Sequence, residues 1–242
     1  MRAVLLAAGM GERLREIVQT IPKPMIMYDG KPILQHNIEL CRQYGVKEIY
    51  INTHHLAENI MEYFGDGARF GVKIYYSYEP ELLGTSGALN NFRHQLDGEY
   101  FYVLYADNYS RFNLRMLRTA FQRNKCIGVI AFHYRDDVRE SGVGEFDKDE
   151  RIVRFLEKPG KGLTTSHWVN AGIYYLSPEI FDYIPQGFSD FGRDVFPRLL
   201  EEGVPLCGIR SRMALKAFDT PELLRASIEG GSEYRREKAH RH

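Results

Sequence analysis

The sequence predicts an α/β fold, doubly wound, with a mostly parallel Rossmann-like sheet and a β-hairpin subregion. Three observations predict it: short apolar runs recur along the 242 residues, amphipathic stretches at helical spacing separate them, and a strand–turn–strand texture replaces that alternation after Asp136. Strands alternating with helices of about a dozen residues make βαβ units, whose strands lie parallel and whose helices cover both faces.

In chain order the runs are RAVLLAA at 2–8, VKEIYINT at 46–53, VKIYYSY at 72–78, YFYVLYA at 100–106, IGVIAFHY at 127–134 and WVNAGIYYL at 168–176. Their length, their β-branched and aromatic content and the Gly, Asn or Asp that bound them read as strands. Between the first two, Leu34, Ile38 and Cys41 fall on one helical face and Gly45 follows as a stop. Leu56, Ile60 and Phe64 repeat at four-residue spacing, and Leu114, Leu117 and Phe121 at three and four, which predicts two further crossover helices. SGVGEFDKDERIVRFLEKPG, 141–160, alternates on either side of a turn at Asp147–Glu150 and predicts a hairpin over one end of the sheet. No repeat or Pro/Ser linker divides the chain, so 1–242 is expected to be one domain: 1–135 holding a nucleotide, 136–230 its sugar-phosphate partner, and 231–242 a basic, solvated tail.

Composition narrows the function. Lys plus Arg equals Asp plus Glu at 32 each, so no overall field attracts nucleic acid or an anionic membrane, and any bound anion must be held locally. Cys41, Cys126 and Cys207 are far apart, odd in number and without CxxC spacing, as expected of thiols in a reducing compartment. The first apolar run is too short for a signal sequence, and no other approaches a membrane span; a cytoplasmic protein is expected.

In open α/β sheets ligands collect at the carboxyl ends of the strands, so the residues after each run carry the chemistry. After the first comes Gly9-Met10-Gly11-Glu12-Arg13-Leu14. Glycines there permit a sharp turn and close approach to a ligand. GxGxxG would need a third glycine where Leu14 stands and an acidic residue where Thr53 closes the second strand, which argues against a dinucleotide oxidoreductase. The pattern GxxxxGK[ST] is absent too. Arg13 and Lys23 take the place of those signals: a bidentate guanidinium and a point charge stiffened between Pro22 and Pro24 suit a polyphosphate. Asp107 ends the fourth strand, where a carboxylate suits Mg²⁺ or simply forms a turn. Thr85 or Ser86 fits equally as the N-cap of a glycine-rich strand-to-helix turn. His54-His55 lacks any third ligand at metal spacing and reads as a loop or helix start.

LLAAGMGERLREIVQTIPKPM, 5–25, resembles the signature of the sugar-1-phosphate nucleotidylyltransferases, L-A-G/A-G-x-G-T/E-R-L followed by P-K-P. EPELLGTSGAL, 79–89, is similar to that family's L-G-T-A-G-A segment, and VLYADNYS, 103–110, to its G-D segment, with Ala106 in place of glycine. GVGEF, LEKP and VNAGIY resemble its sugar-phosphate segments. The resemblance covers residues 3 to about 175, with a weaker echo to 222. It implies that Leu6, Ala8, Gly9, Gly11, Gly84, Thr85 and Gly87 line the nucleotide; that Arg13, Lys23, Asp107 and Lys158 carry transfer; and that Gly144, Glu157, Lys158, Asn170 and Gly172 hold the sugar phosphate. It implies Mg²⁺ on Asp107, with Asp219 of ALKAFDTPELLRA as second ligand or, alternatively, as the cap of a last helix starting at Pro221. The implied partners are an NTP and a sugar 1-phosphate, without nucleic acid or membrane, and a homo-oligomer is compatible. The expected chemistry is guanylyl transfer to mannose or heptose 1-phosphate; uridylyl or thymidylyl transfer, and a non-catalytic nucleotide-sugar-binding regulator, are the alternatives.

Overall fold

The first strand, β1 (Arg2–Leu6), is apolar from Ala3 onwards and buried along that length, the signature of a strand covered on both faces. The computed structural model that contains it describes residues 1–11, 21–212 and 215–217. Beside β1 lie two parallel neighbours, β4 (Glu48–Thr53) and β6 (Phe101–Tyr105), and β5 (Lys73–Tyr78) extends the parallel set beyond β4. A small hairpin, β2 (Met27–Tyr28) and β3 (Lys31–Pro32), precedes helix α1 (Ile33–Gln43). Leu34, Ile38 and Cys41 are buried on α1, as their spacing predicts. Helices α2 (Ala57–Phe64) and, beyond the short turns α3 (Gly84–Gly87) and α4 (Arg93–Leu96), α5 (Leu114–Arg123) are the other two crossovers read from periodicity.

β6 is followed by β7 (Asn108–Ser110), β8 (Gly128–Tyr134), the hairpin β9 (Gly142–Phe146) and β10 (Ile152–Glu157), and the long strand β11 (Trp168–Leu176). β11 runs antiparallel to β6, β8 and β9, so the sheet is parallel on the β1 side and mixed on the other. Its order is β10-β9-β11-β6-β1-β4-β5, with β8 also beside β11. After α6 (Phe196–Glu201), strand β12 (Leu206–Ser211) adds parallel to β8, and β13 (Leu215–Ala217) pairs antiparallel with β7. β7, β12 and β13 were not among the strands read from apolar runs: β7 and β13 are three residues each, and β12 mixes Gly208 and Arg210 into its run.

Two apolar layers sandwich the sheet. One joins α1 and α2 to the parallel strands; the other is aromatic, centred on Phe132, Tyr174, Phe191 and Phe196. The three cysteines are free thiols. Among the described residues no helix is long and apolar enough to cross a membrane. The chain leaves β1 for β4 on one side and later returns through β6 on the other, so strand order reverses between β1 and β6. The crevice outside the carboxyl ends of those two strands is where the architecture leaves room for a ligand.

Candidate active site

A cavity of about 250 Å³ fills that crevice. Its floor is the end of β1, Leu6 to Gly9; Lys23 and Asp107 stand at one part of its wall, and Asn52, Glu79, Gly84 and Thr85 at another. Among the described residues, a Cβ built on Gly9 would meet no atom within 4 Å, which leaves room for a ligand to approach the backbone there.

Lys23 begins a single 3₁₀ turn, Lys23–Met25, between two prolines. The turn is closed by the Met25 amide donating to the Pro22 carbonyl at 2.7 Å. Thus held, Lys23 is only 7% exposed, and its ammonium lies 2.5 Å from Asp107 Oδ2. Asp107 lies two residues past the end of β6, and its backbone is fixed from two sides. The Ala106 amide donates to Leu6 at 3.0 Å, and the buried Asn37 of α1 donates Nδ2 to the carbonyls of both Ala106 and Asn108 at 3.3 and 3.0 Å. β13 pairs Ala217 with Asn108, so the late segment reaches the residue beside Asp107. Arg13 and Asp219 lie outside the described residues.

Another part of the wall is a buried polar chain. Asn52 Oδ1 accepts from the Ala7 amide at 2.8 Å, its Nδ2 donates to Glu79 Oε1 at 2.8 Å, and Glu79 Oε2 accepts from the Leu83 amide at 3.0 Å. Glu79 is 1% exposed and every bond fixes the next, so β1, β4 and the 83–87 loop are tied by one carboxylate. That loop docks onto residues 187–191. Ser189 O accepts from the amides of Ser86 and Gly87 at 2.9 and 3.0 Å, the Ser86 and Ser189 hydroxyls bond at 2.8 Å, and Asp190 Oδ1 accepts from the amide and hydroxyl of Thr85, each at 3.0 Å. Thr85 and Ser86 therefore do not cap the turn, whose first residue has no side-chain cap: both hydroxyls are committed across the chain. Gly87 has φ −58, open to any residue, yet its Cβ would lie 2.2 Å from the Gly187 carbonyl. Gly87→Ala is expected to part the two loops, lowering stability by about 1–3 kcal/mol and weakening nucleotide binding, as thermal melts and nucleotide titration would show.

The residues expected on the sugar side are not all brought together: Asn170 and Gly172 meet on β11, Glu157 ends β10 with Lys158 after it, and Gly144 packs elsewhere. Gly172, φ +66, makes a bulge in β11 that admits the Tyr105 ring; a Cβ there would sit 2.6 Å from Tyr105 Cγ. Asn170 Oδ1 accepts from the Gly172 amide at 2.9 Å, and its Nδ2 donates to Tyr174 Oη at 2.8 Å. The Glu157 carboxylate is received by two glycines, since a Cβ on Gly142 or Gly192 would come within 2.8 or 2.5 Å of its Oε2. Burial pushes the Glu157 carboxyl above its ordinary value, against the pull of Lys158 and Arg193. Lys158, at φ +48, carries its ammonium to 3.7 Å from Glu140 on the hairpin rim. Gly144 packs in the aromatic layer, where a Cβ would meet Phe132 and Phe146.

The folded Glu157 holds its proton more tightly than the unfolded chain does, so stability falls as pH rises through the window above the ordinary value of 4.5. Glu157→Gln lacks that titration. Its melting temperature relative to wild type is expected to climb as pH rises above 4.5 and to level off once the folded Glu157 carboxyl of wild type has ionised, a comparison that parallel thermal melts would make.

Leu6, Ala8, Gly9, Lys23, Gly84, Thr85 and Asp107 thus share one cavity. Gly87 lies behind it, and Gly11, φ +60, follows its floor. Phe188-Ser189-Asp190-Phe191 reads in the sequence as a further sugar contact; in the structure Phe188 lines the cavity and Asp190 holds Thr85. Sequence reading did not single out Asn37, Asn52, Glu79 or Tyr105. Glu79 directly follows an apolar run and Asn52 nearly ends one, which was a usable signal; Tyr105 was hidden inside its run.

Comparison with known proteins bears on the cavity. A family model described as nucleotidyl transferase matches residues 2–214. The UTP--glucose-1-phosphate uridylyltransferase of Synechocystis sp. is 38% identical over 226 residues, 86% of this chain and 58% of that protein. The mannose-1-phosphate guanylyltransferase of Mycobacterium tuberculosis is 32% identical over 83% of this chain and 56% of that protein. The chain therefore spans a little over half the length of these curated relatives. Among solved structures, HddC from Yersinia pseudotuberculosis complexed with GMP-PN aligns with a TM-score of 0.79 at 25% identity, over 95% of this chain and 98% of that one.

Proposed function

The chain belongs to the nucleotidyl transferase family, with sugar-1-phosphate nucleotidyltransferases among its relatives, and from that premise we propose that it moves a nucleoside monophosphate from an NTP to a sugar 1-phosphate. An oxygen of the sugar phosphate attacks the α-phosphorus; the new O–P bond forms in line as the bond to the β-phosphate breaks, and pyrophosphate leaves. No protein nucleophile is required. The task is to bring two anions together and offset their charge.

The observation that carries this reading is the single cavity with a buried ammonium beside a carboxylate at one part of its wall and a polar, carboxylate-centred part at the other. The first suits phosphates and the second a base. Lys23 offsets phosphate charge, and Arg13 is assigned the same role by its place in the signature. Lys158 neutralises the sugar's phosphate while Glu157 and Asn170 meet sugar hydroxyls.

Mg²⁺ fits the donor set. A hard carboxylate stands at the phosphate end, with the Lys23 ammonium beside it, and such oxygen donors suit that ion. Asp107 would hold it, with Asp219 as the proposed second ligand. When bound, the ion supplies charge neutralisation on the phosphates.

For the base, Glu79 favours guanine. Guanine presents adjacent N–H donors, which a carboxylate can accept, whereas the N–H of uracil is flanked by carbonyls that a carboxylate would repel. Mannose or heptose 1-phosphate is the proposed acceptor. The 38% identity to a uridylyltransferase supports UTP with glucose 1-phosphate as the second reading. Pyrophosphate release across a matrix of four NTPs and several sugar 1-phosphates with Mg²⁺ tests both. Turnover with GTP and mannose or heptose 1-phosphate is expected; a silent matrix would point to a nucleotide-sugar-binding regulator instead.

A further inference from the structure

Phe188 lines the nucleotide cavity, yet 60% of it is exposed. A single exposed phenylalanine is ordinary on a protein surface, but the residues on either side of this one are pinned. The Gly187 carbonyl packs against Gly87 with no room for a side chain between them. Ser189 is fully buried; its amide donates to the Leu83 carbonyl at 2.9 Å, and its own carbonyl holds the amides of Ser86 and Gly87. Phe191, the other phenylalanine of the segment, is buried in the aromatic layer. The fold thus turns one ring of a fixed segment outwards, and what that ring faces is the cavity.

Its place on the wall follows from Leu83. The amide of Leu83 donates to Glu79 Oε2 and its carbonyl accepts from the Ser189 amide, so the segment that carries Phe188 is one residue away from the carboxylate-centred part of the wall. Leu82, Gly84 and Thr85 stand beside it in the same cavity. Tyr105 also lines the cavity, but its ring is seated under Gly172 and set edge-on to Tyr174. Among the described residues Phe188 has no ring or cation partner at all.

A nucleobase has polar edges and two flat π faces. Asn52 and Glu79 are groups for an edge; a face is matched by a flat apolar ring, and one already held in place loses little freedom on binding. We infer that Phe188 stacks on the nucleobase and so helps to set which base is accepted, because a purine covers more of the ring than a pyrimidine does. This rests on the functional reading above and extends it: Glu79 meets the edge of the base, and Phe188 its face. The sugar contact expected of this segment from the sequence is the outcome that would contradict it.

Two variants test it. In Phe188→Ala the Michaelis constant for the NTP that turns over is expected to rise about tenfold or more, with that for the sugar 1-phosphate moving less than about twofold. The side chain is exposed, so the melting temperature should stay close to that of wild type. Phe188→Trp keeps a flat ring and should keep the NTP Michaelis constant within about threefold of wild type. It also adds a reporter to a chain whose one tryptophan is Trp168. Its emission, taken as the difference from wild type, is expected to fall on adding GTP or UTP and not on adding inorganic triphosphate, which carries phosphates without a base. Three results would overturn the stacking: a rise confined to the sugar phosphate, equal rises for both substrates with a lowered melting temperature, or emission that the nucleotides do not move. If wild type releases no pyrophosphate with any substrate pair but the Phe188→Trp emission still falls with nucleotide, the transferase reading fails and the stacking stands. Silence in both assays would overturn both.

Discussion

Asp107→Asn is expected to lower turnover by about 10²–10³-fold while leaving the fold in place. The substitution keeps size and hydrogen-bonding capacity, and removes one charge at the phosphate end of the cavity. Two contacts change. The Lys23 ammonium, buried against Asp107, loses that ion pair, and the carboxylate proposed to hold Mg²⁺ becomes a neutral amide. The neighbours that fix the backbone of this turn, Asn37 and Leu6, bond to main-chain atoms and are indifferent to the change. Complete loss of a charge pair in a dry interior is severe, but Asp107 is 29% exposed and Lys23 faces the cavity, where water replaces the lost partner. The melting temperature is therefore expected to stay within about 4 °C of wild type. Pyrophosphate release and a thermal melt on the same preparation separate the two effects; near-normal turnover would remove Asp107 from the chemistry.

The same residues show what was legible in the sequence. Strand and helix periodicity located the core because burial on one face or two leaves a repeating record, as at Leu34, Ile38 and Cys41 or along β1. The hairpin was legible from its alternation around Asp147–Glu150. Lys23 and Asp107 were legible as chemistry through the P-K-P and G-D segments of the family signature, since alone each fits a solvated charge or a turn equally well. Their meeting was not, because 84 residues separate them and only the reversal of strand order brings them to one crevice. The docking of Thr85 and Ser86 on Ser189 and Asp190 was missed for the same reason: a local pattern offered an N-cap, and a contact 105 residues away took the hydroxyl instead. Glycines divide likewise. Gly9 is open to a ligand, whereas Gly87, Gly142 and Gly172 make room for other parts of the chain, a distinction no motif contains.

Glu79→Gln is expected to destabilise the protein by about 1–3 kcal/mol, or roughly 2–12 °C for a chain of this size, and to weaken nucleotide binding more than acceptor binding. The reason is the count of hydrogens. Both Glu79 oxygens accept, one from Asn52 Nδ2 and one from the Leu83 amide. A glutamine has one oxygen, so its NH₂ must face one of those two donors. Asn52 cannot turn its amide over to help, because its own oxygen already accepts from the Ala7 amide. Either Asn52 or Leu83 is then left with a buried, unsatisfied N–H. If Leu83 loses its partner, the 83–87 loop loosens at its first residue; if Asn52 does, the link from β1 to the loop parts. Both lie in the nucleotide wall and neither is bonded to Glu157 or Asn170, so the Michaelis constant for NTP should rise with that for the sugar phosphate little altered. Replacing the carboxylate also removes the acceptor proposed to favour guanine, so the ratio of kcat/KM for GTP to that for UTP should fall by about tenfold or more. Thermal melts together with steady-state rates on both nucleotides decide it: an unchanged melting temperature would mean the carboxylate is not the tie between β1, β4 and the loop, and an unchanged GTP-to-UTP ratio would detach Glu79 from the choice of base.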